Sequence, residues 1–270
     1  MNKNSYSKDH ILIHYDISEK FNPKGALVFL HGMGGSLTAF DPIRRLLEAE
    51  GYSTLAIDIR GQGHSGRPVD KSKYTLDCLA SDVISVLETE KVENFTLIGH
   101  CFGGIVSMAV TQKIQDRIKK LILIDTNYKA PIWASILSKL PGFTLLLSII
   151  ATRMPKGYLK DTIDYQKFSG GGDYNIPRII SDITHTSLRT YLLLSQTLLQ
   201  LDMRPVLKEF SLPTLIIQGE KDTVYSPNIA KKLHELIPQS ELIQVKDANH
   251  ILVITNYKEV FTVISSYLKS

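Results

Sequence analysis

Three side chains far apart in this sequence, Cys101, Asp222 and His250, are of the types that together build a reactive nucleophile. Each follows an apolar run of strand type. Residues 99–104 read Gly-His-Cys-Phe-Gly-Gly, after the run 95–98 and before a helix-like run, 105–110. Strand, sharp turn and helix form the setting of a nucleophile elbow, in which flanking glycines relieve a strained turn and let the helix cross close to the strand. The usual occupant is serine. Cysteine keeps the geometry and supplies a more acidic, more nucleophilic group. The plain alternative is a buried cysteine in a glycine-rich turn.

Acyl transfer also needs a base, an acid that orients the base, and donors for an oxyanion. His250, in Asp247-Ala248-Asn249-His250 after the run 241–245, supplies a base. Asp222, in Gly219-Glu220-Lys221-Asp222 after the run 214–218, supplies an acid, and the chain order nucleophile, acid, histidine is a known one. Asp125, after the run 121–124, is a second candidate acid and Glu220 a third. Oxyanion donors are expected from His31-Gly32-Met33-Gly34-Gly35, after the run 26–30. The backbone N–H groups of Met33 and Phe102 form the pair, and Gly32 lets the backbone approach a substrate. His31 reads as a brace for that loop. His64 and Ser65 are adjacent and rarely face each other, so they read as loop structure.

Residues placed like this converge only if the runs are parallel strands, whose carboxyl ends open on one crevice. The pattern agrees. Runs 26–30, 54–59, 95–98, 121–124, 214–218 and 241–245 read as buried strands. Helical spacing occupies 43–49, 76–90, 103–112, 228–237 and 260–268 between and after them. Residues 10–17 alternate, as in an edge strand or hairpin arm. The fold class is therefore α/β, a doubly wound and mostly parallel sheet. The alternation breaks at 127–211, where helical runs appear without a convincing strand. This stretch is expected to be a helical cap inserted between a first core part, 1–126, and a second, 212–270. Trp133, Ile136, Leu137 and Phe143 are expected to offer it an apolar acyl-binding wall, and 169–173 (Ser-Gly-Gly-Gly-Asp) reads as a flexible loop.

The 270 residues carry a formal net charge of +4 with no long basic block, which gives no argument for nucleic acid. Two cysteines in so long a chain suggest reducing surroundings, and Cys78 reads as a packed helix residue. The polar residues 1–9 lack the apolar stretch of a leader. The most lipophilic segment, 142–151, falls short of the ~20 residues a span needs, so a cytoplasmic protein without an integral membrane segment is expected. No His or acidic residues show metal-ligand spacing, and neither metal nor cofactor is expected. Gly61 to Gly66 fits G-x-G-x-x-G, but a polar loop rather than a helix follows, against a dinucleotide site.

Taken together, the His31–Gly35 loop, the Asp58–Pro68 segment, the elbow, Gly219–Asp222 and His250 resemble the α/β-hydrolase superfamily, in its capped esterase, lipase and thioesterase branch, over essentially the whole chain. Dienelactone hydrolases and polyhydroxyalkanoate synthases are similar in placing cysteine in a G-x-C-x-G-G elbow. The resemblance implies an α/β-hydrolase fold and an acyl hydrolase acting on a small apolar ester or thioester through Cys101, His250 and Asp222. Transfer to a thiol or amine acceptor, a non-catalytic ligand-binding protein, and a cysteine that replaces an ancestral or native serine remain open alternatives. Oligomeric state is open as well.

Overall fold

The computed structural model describes residues 1–130, 136–154 and 162–270. Among them, eight strands form one sheet: β1 (Asn2–Tyr6), β2 (Leu12–Ile17), β3 (Leu27–Leu30), β4 (Thr54–Ile57), β5 (Phe95–His100), β6 (Ile118–Ile124), β7 (Thr214–Gly219) and β8 (Ser240–Val245). Their order is β1-β2-β4-β3-β5-β6-β7-β8. The pairs β1–β2 and β2–β4 are antiparallel and the remaining pairs parallel.

The central strands are apolar throughout because both faces are covered. In β3, Val28 and Leu30 enter one core with α2 (Leu76–Thr89) and α3 (Phe102–Ile114). Leu27 and Phe29 enter the other, with α1 (Asp41–Ala49) and the C-terminal helix Tyr257–Lys269. Alternation along one strand thus builds two cores.

The edges of the sheet differ from the sequence reading, one lying a strand beyond the 10–17 run and the other at the 241–245 run. Residues 1–9 contain a strand, β1, whose polar side chains alternate in exposure and pair Asn2 with Asp16 through Tyr6 with Leu12. A polar edge strand lacks the apolar signal that reveals a buried one. Conversely, β8 is an edge strand in which only Val245 is buried, because the strand order leaves it no outer neighbour.

Between β6 and β7 the described residues hold helices α4 (Phe143–Arg153), α5 (Ile176–Thr186) and α6 (Leu188–Leu198). The two ends of this stretch meet at its base. Ala130 N–H donates to the Leu201 carbonyl at 2.7 Å and Met203 N–H to the Tyr128 carbonyl at 2.8 Å. A helix Pro227–Leu236 separates β7 from β8.

Candidate active site

The elbow is strained where the chemistry would sit. Cys101 has φ 51° and ψ −115°, a conformation costly for a residue with a side chain and held only by its surroundings. Its N–H donates to the Ile124 carbonyl at 2.9 Å, and Thr126 Oγ1 donates to its carbonyl at 2.7 Å. Glycine is demanded beside it. A Cβ on Gly103 would fall 2.1 Å from the Leu30 carbonyl oxygen, and one on Gly99 would fall 2.4 Å from Ser107 Oγ. Helix α3 therefore crosses against the sheet closely enough to aim its first turn at the thiol.

β7 and β8 deliver the other two groups. His250 Nδ1 lies 2.9 Å from Asp222 Oδ2, and the ring is close enough to Cys101 to act on its thiol. Asp222 is fixed on all sides: Oδ1 accepts the N–H groups of Val224 and Tyr225 at 2.8 Å each, and Oδ2 also accepts from Gln218 Nε2 at 3.1 Å. Burial pushes the Asp222 carboxyl up, but these donors and His250 outweigh it and hold it below its ordinary value. Burial by itself would lower His250. The facing sulfur and the Asp222 carboxylate instead raise it well above the usual imidazole range. For Cys101, burial works against ionisation, and His250 together with the N–H groups of Phe102 and Met33 prevails, leaving the thiol below its ordinary value. The arrangement favours a thiolate beside an imidazolium, with the backbone N–H groups of Phe102 and Met33 adding to the pull on the sulfur.

The glycine loop after β3 is ordered by its neighbours. His31 is fully buried. Its Nδ1 donates to the Gly32 carbonyl at 2.8 Å and its Nε2 accepts the Ile59 N–H at 3.1 Å, and burial pushes its pKa down to about 4, so it stays neutral. Gly34 N–H goes to Gln62 Oε1, and the neighbouring Met33 N–H turns to Cys101. A Cβ on Gly32 would lie 3.2 Å from the Cys101 Cβ, which leaves that approach to glycine.

Asp125 is brought beside the pair without taking part in it. Its Oδ1 accepts the Gly219 N–H at 2.7 Å, and its buried Oδ2 has no partner among the described residues. Burial first, and then the Asp222 charge, push its pKa well above the ordinary carboxylate value. Glu220 turns away to accept the Asp247 N–H at 3.0 Å. His100, Asp125 and His250 present ligand atoms within 4.8 Å of one another. Two of those residues are already engaged: His250 Nδ1 with Asp222, and His100 Nε2 with the His250 carbonyl, to which it donates at 2.8 Å.

Several participants carry no signal in the sequence. His100 stacks against His250 with ring centroids 5.3 Å apart and is held neutral, its pKa pushed down to about 3 by burial and the His250 charge. Tyr225 sits edge-on to His250, at 5.3 Å, and lies close enough to Cys101 for the two to influence each other's ionisation. Tyr191, on α6, lies close enough to feel the Cys101 charge. Asp173 corrects the reading of 169–173 as a flexible loop. It is buried, accepts the His250 N–H at 2.6 Å, and accepts from Thr223 N–H and Oγ1 at 2.9 and 2.6 Å. A residue of the stretch between β6 and β7 thus ties the two loops that carry Asp222 and His250.

The expected apolar wall fares unevenly. Ile136 is 59% exposed and is a surface residue rather than a wall. Leu137 and Phe143 are half-buried, and Trp133 lies outside the described residues. Cys78 is half-buried on α2 rather than packed in the core, with its thiol 3.7 Å from the Ser72 carbonyl.

A doubly wound parallel sheet with a strained elbow after β5 and an Asp–His pair after β7 and β8 defines the α/β-hydrolase architecture. Residues 25–257 match the model of the alpha/beta hydrolase fold family, and the chain belongs to that family. It is 27% identical over 244 residues to Lipase 3 of Moraxella sp. (strain TA144), covering 86% of this chain and 74% of that one. It is also 27% identical over 232 residues to 3-oxoadipate enol-lactonase 2 of Acinetobacter baylyi, covering 84% and 82%. Among solved structures, the enol-lactonase from Burkholderia xenovorans LB400 superposes with a TM-score of 0.77 at 22% identity, over 99% of this chain and 100% of that one, a likeness of fold. Among the described residues no helix is long and apolar enough to cross a membrane.

Proposed function

We propose that the protein is a hydrolase acting on ester bonds that works through a covalent acyl thioester on Cys101. The observation that carries the mechanism is the buried Cys101–His250–Asp222 chain, with the Met33 and Phe102 N–H groups at the sulfur. The thiolate attacks the ester carbonyl, and the oxygen that gains charge takes the two N–H donors. As the tetrahedral adduct collapses, the bond to the leaving alcohol breaks and His250 gives that oxygen its proton. Neutral His250 then takes a proton from water, the hydroxide attacks the acyl thioester, and Cys101 leaves as thiolate while the imidazolium re-forms. Asp222 keeps Nδ1 protonated and turned towards itself throughout. The lipase and enol-lactonase relatives support open-chain esters and lactones as the bonds to test, and thioesters are within reach of the same site.

Intact-mass spectrometry after mixing with a panel of activated acyl esters and acyl thioesters tests this reading. The expected result is one acyl adduct per chain, mapped to Cys101 and decaying as acid is released. Turnover that persists in a Cys101→Ala protein would overturn it.

A further inference from the structure

Helix α4 is apolar almost all the way round, a composition that calls for cover on every side. It is covered on one. Leu147, Ser148 and Ala151 face the fold, Ala151 is fully buried, and Ser148 Oγ donates to Gln196 Oε1 on α6 at 3.1 Å. Arg189 of α6 fastens the far end by donating to the carbonyls of Ala151, Thr152 and Met154. Among the described residues the other side is exposed: Leu145 is 63% exposed and Leu146 55%, with Ile149 and Ile150 one turn on and Ile136 and Leu140 ahead of them also exposed. Positions 145, 146, 149 and 150 form one stripe along the helix.

Charge says what covers that stripe. Residues 127–211 hold ten Lys and Arg against six Asp and Glu, so they carry the whole of the chain's +4, and the remaining residues balance. The positive charge that a scan along the chain reads as dispersed is therefore gathered in the inserted stretch. From Thr126 to Lys160 there are five Lys or Arg and not one Asp or Glu. Two of them, Lys139 and Arg153, are exposed and bracket the apolar stripe. A second protein would need its own acidic rim around a matching groove. A bilayer rich in anionic headgroups offers apolar depth under a sheet of negative charge, the complement of an apolar helix flanked by cations.

We infer that α4 is a membrane-surface anchor, lying in the headgroup layer of an anionic phospholipid bilayer with Leu145, Leu146, Ile149 and Ile150 inserted and Lys139 and Arg153 on the phosphates. The helix is only 11 residues long, so it lies on the bilayer rather than spanning it. Its other face rests on α6, the helix whose Ser195 Oγ lies 3.8 Å from Met33 Sδ beside the nucleophile. The anchored helix is thus one layer from the candidate active site. The inference stands apart from the thiolate mechanism, because binding is read without turnover.

Co-sedimentation with vesicles tests it, using phosphatidylcholine alone and phosphatidylcholine mixed with phosphatidylglycerol. The full chain is expected to bind the mixed vesicles, bind the neutral ones poorly, and lose binding as salt is added. Leu145→Gln/Leu146→Gln, which preserves helix propensity, is expected to lower partitioning at least about tenfold. Lys139→Glu/Arg153→Glu is expected to remove the preference for phosphatidylglycerol. Both variants should keep the parent's circular dichroism and its rate on a soluble ester. Equal partitioning of parent and Leu145→Gln/Leu146→Gln would overturn the inference, as would a parent that ignores both kinds of vesicle. A parent that ignores vesicles and is a dimer made monomeric by the double change would assign the stripe to a second copy of the chain.

Discussion

Asp222→Asn and Asp125→Asn make the sharpest test of the site, because the two carboxyls are neighbours whose surroundings push their pKa values in opposite directions. In Asp222→Asn the side-chain oxygen can keep the Val224 and Tyr225 N–H groups. The other arm then becomes an NH2 group facing two donors, Gln218 Nε2 at 3.1 Å and His250 Nδ1 at 2.9 Å. One charge-assisted hydrogen bond is lost, about 1.5–3 kcal/mol, together with a Coulomb attraction of about 4 kcal/mol at an effective dielectric of roughly 20. Since these overlap, a loss of about 3–5 kcal/mol is reasonable, which is on the order of 10²- to 10⁴-fold in acylation rate. Burial already drives Asp125 towards its protonated form, and Asn keeps its size and its acceptor for the Gly219 N–H. Asp125→Asn should therefore stay within about tenfold of the parent. The assay is kcat/KM on a p-nitrophenyl ester, with the rate of Cys101 alkylation at neutral pH as a second readout. An Asp222→Asn protein within tenfold of the parent, or an Asp125→Asn protein that loses more than Asp222→Asn does, would refute the assignment of the acid.

Iodoacetamide should label Cys101 much faster than Cys78 near neutral pH, and peptide mapping over time checks this. Because Cys101 lies below and His250 above their ordinary values, activity should hold across neutral pH. It should fall in acid, as the thiolate takes a proton, and in alkali, as the imidazolium loses one. Cys101→Ser should lower ester hydrolysis by orders of magnitude, up to about 10⁴-fold, since a hydroxyl does not ionise in this site as the more acidic thiol does. A serine variant faster than the parent would reverse the view of this site as built for a thiolate. Gly103→Ala should destabilise by about 3 kcal/mol and lower Tm by roughly 5–10 °C, measured by calorimetry, because the new methyl meets the Leu30 carbonyl. In a p-nitrophenyl ester series from acetate to hexanoate, kcat/KM should climb, and a flat or falling profile would deny Leu137 and Phe143 a part in acyl binding.

What the sequence determined by itself was periodic or local. Apolar runs with helical spacing between them specified the central strands, since a strand covered on both faces must be apolar along its length. The elbow was legible because its strand, glycine-flanked turn and helix are consecutive in sequence, although the contact that demands Gly103 is with the distant Leu30 carbonyl, and a carboxyl or imidazole just beyond a strand end marks itself. The polar strand Asn2–Tyr6 was not legible, and neither was the edge position of Ser240–Val245, because each depends on which strand lies beside it. Tertiary structure alone set the charges. Asp125 and Asp222 look alike in sequence, yet one has a single N–H donor and an orphaned oxygen while the other has three donors and an imidazolium. It alone brought Asp173, Tyr225 and His100 to the catalytic histidine, 77, 25 and 150 residues away along the chain in turn. A spacing pattern reports which face a residue presents. Whether a buried carboxyl keeps its proton depends on donors counted in space.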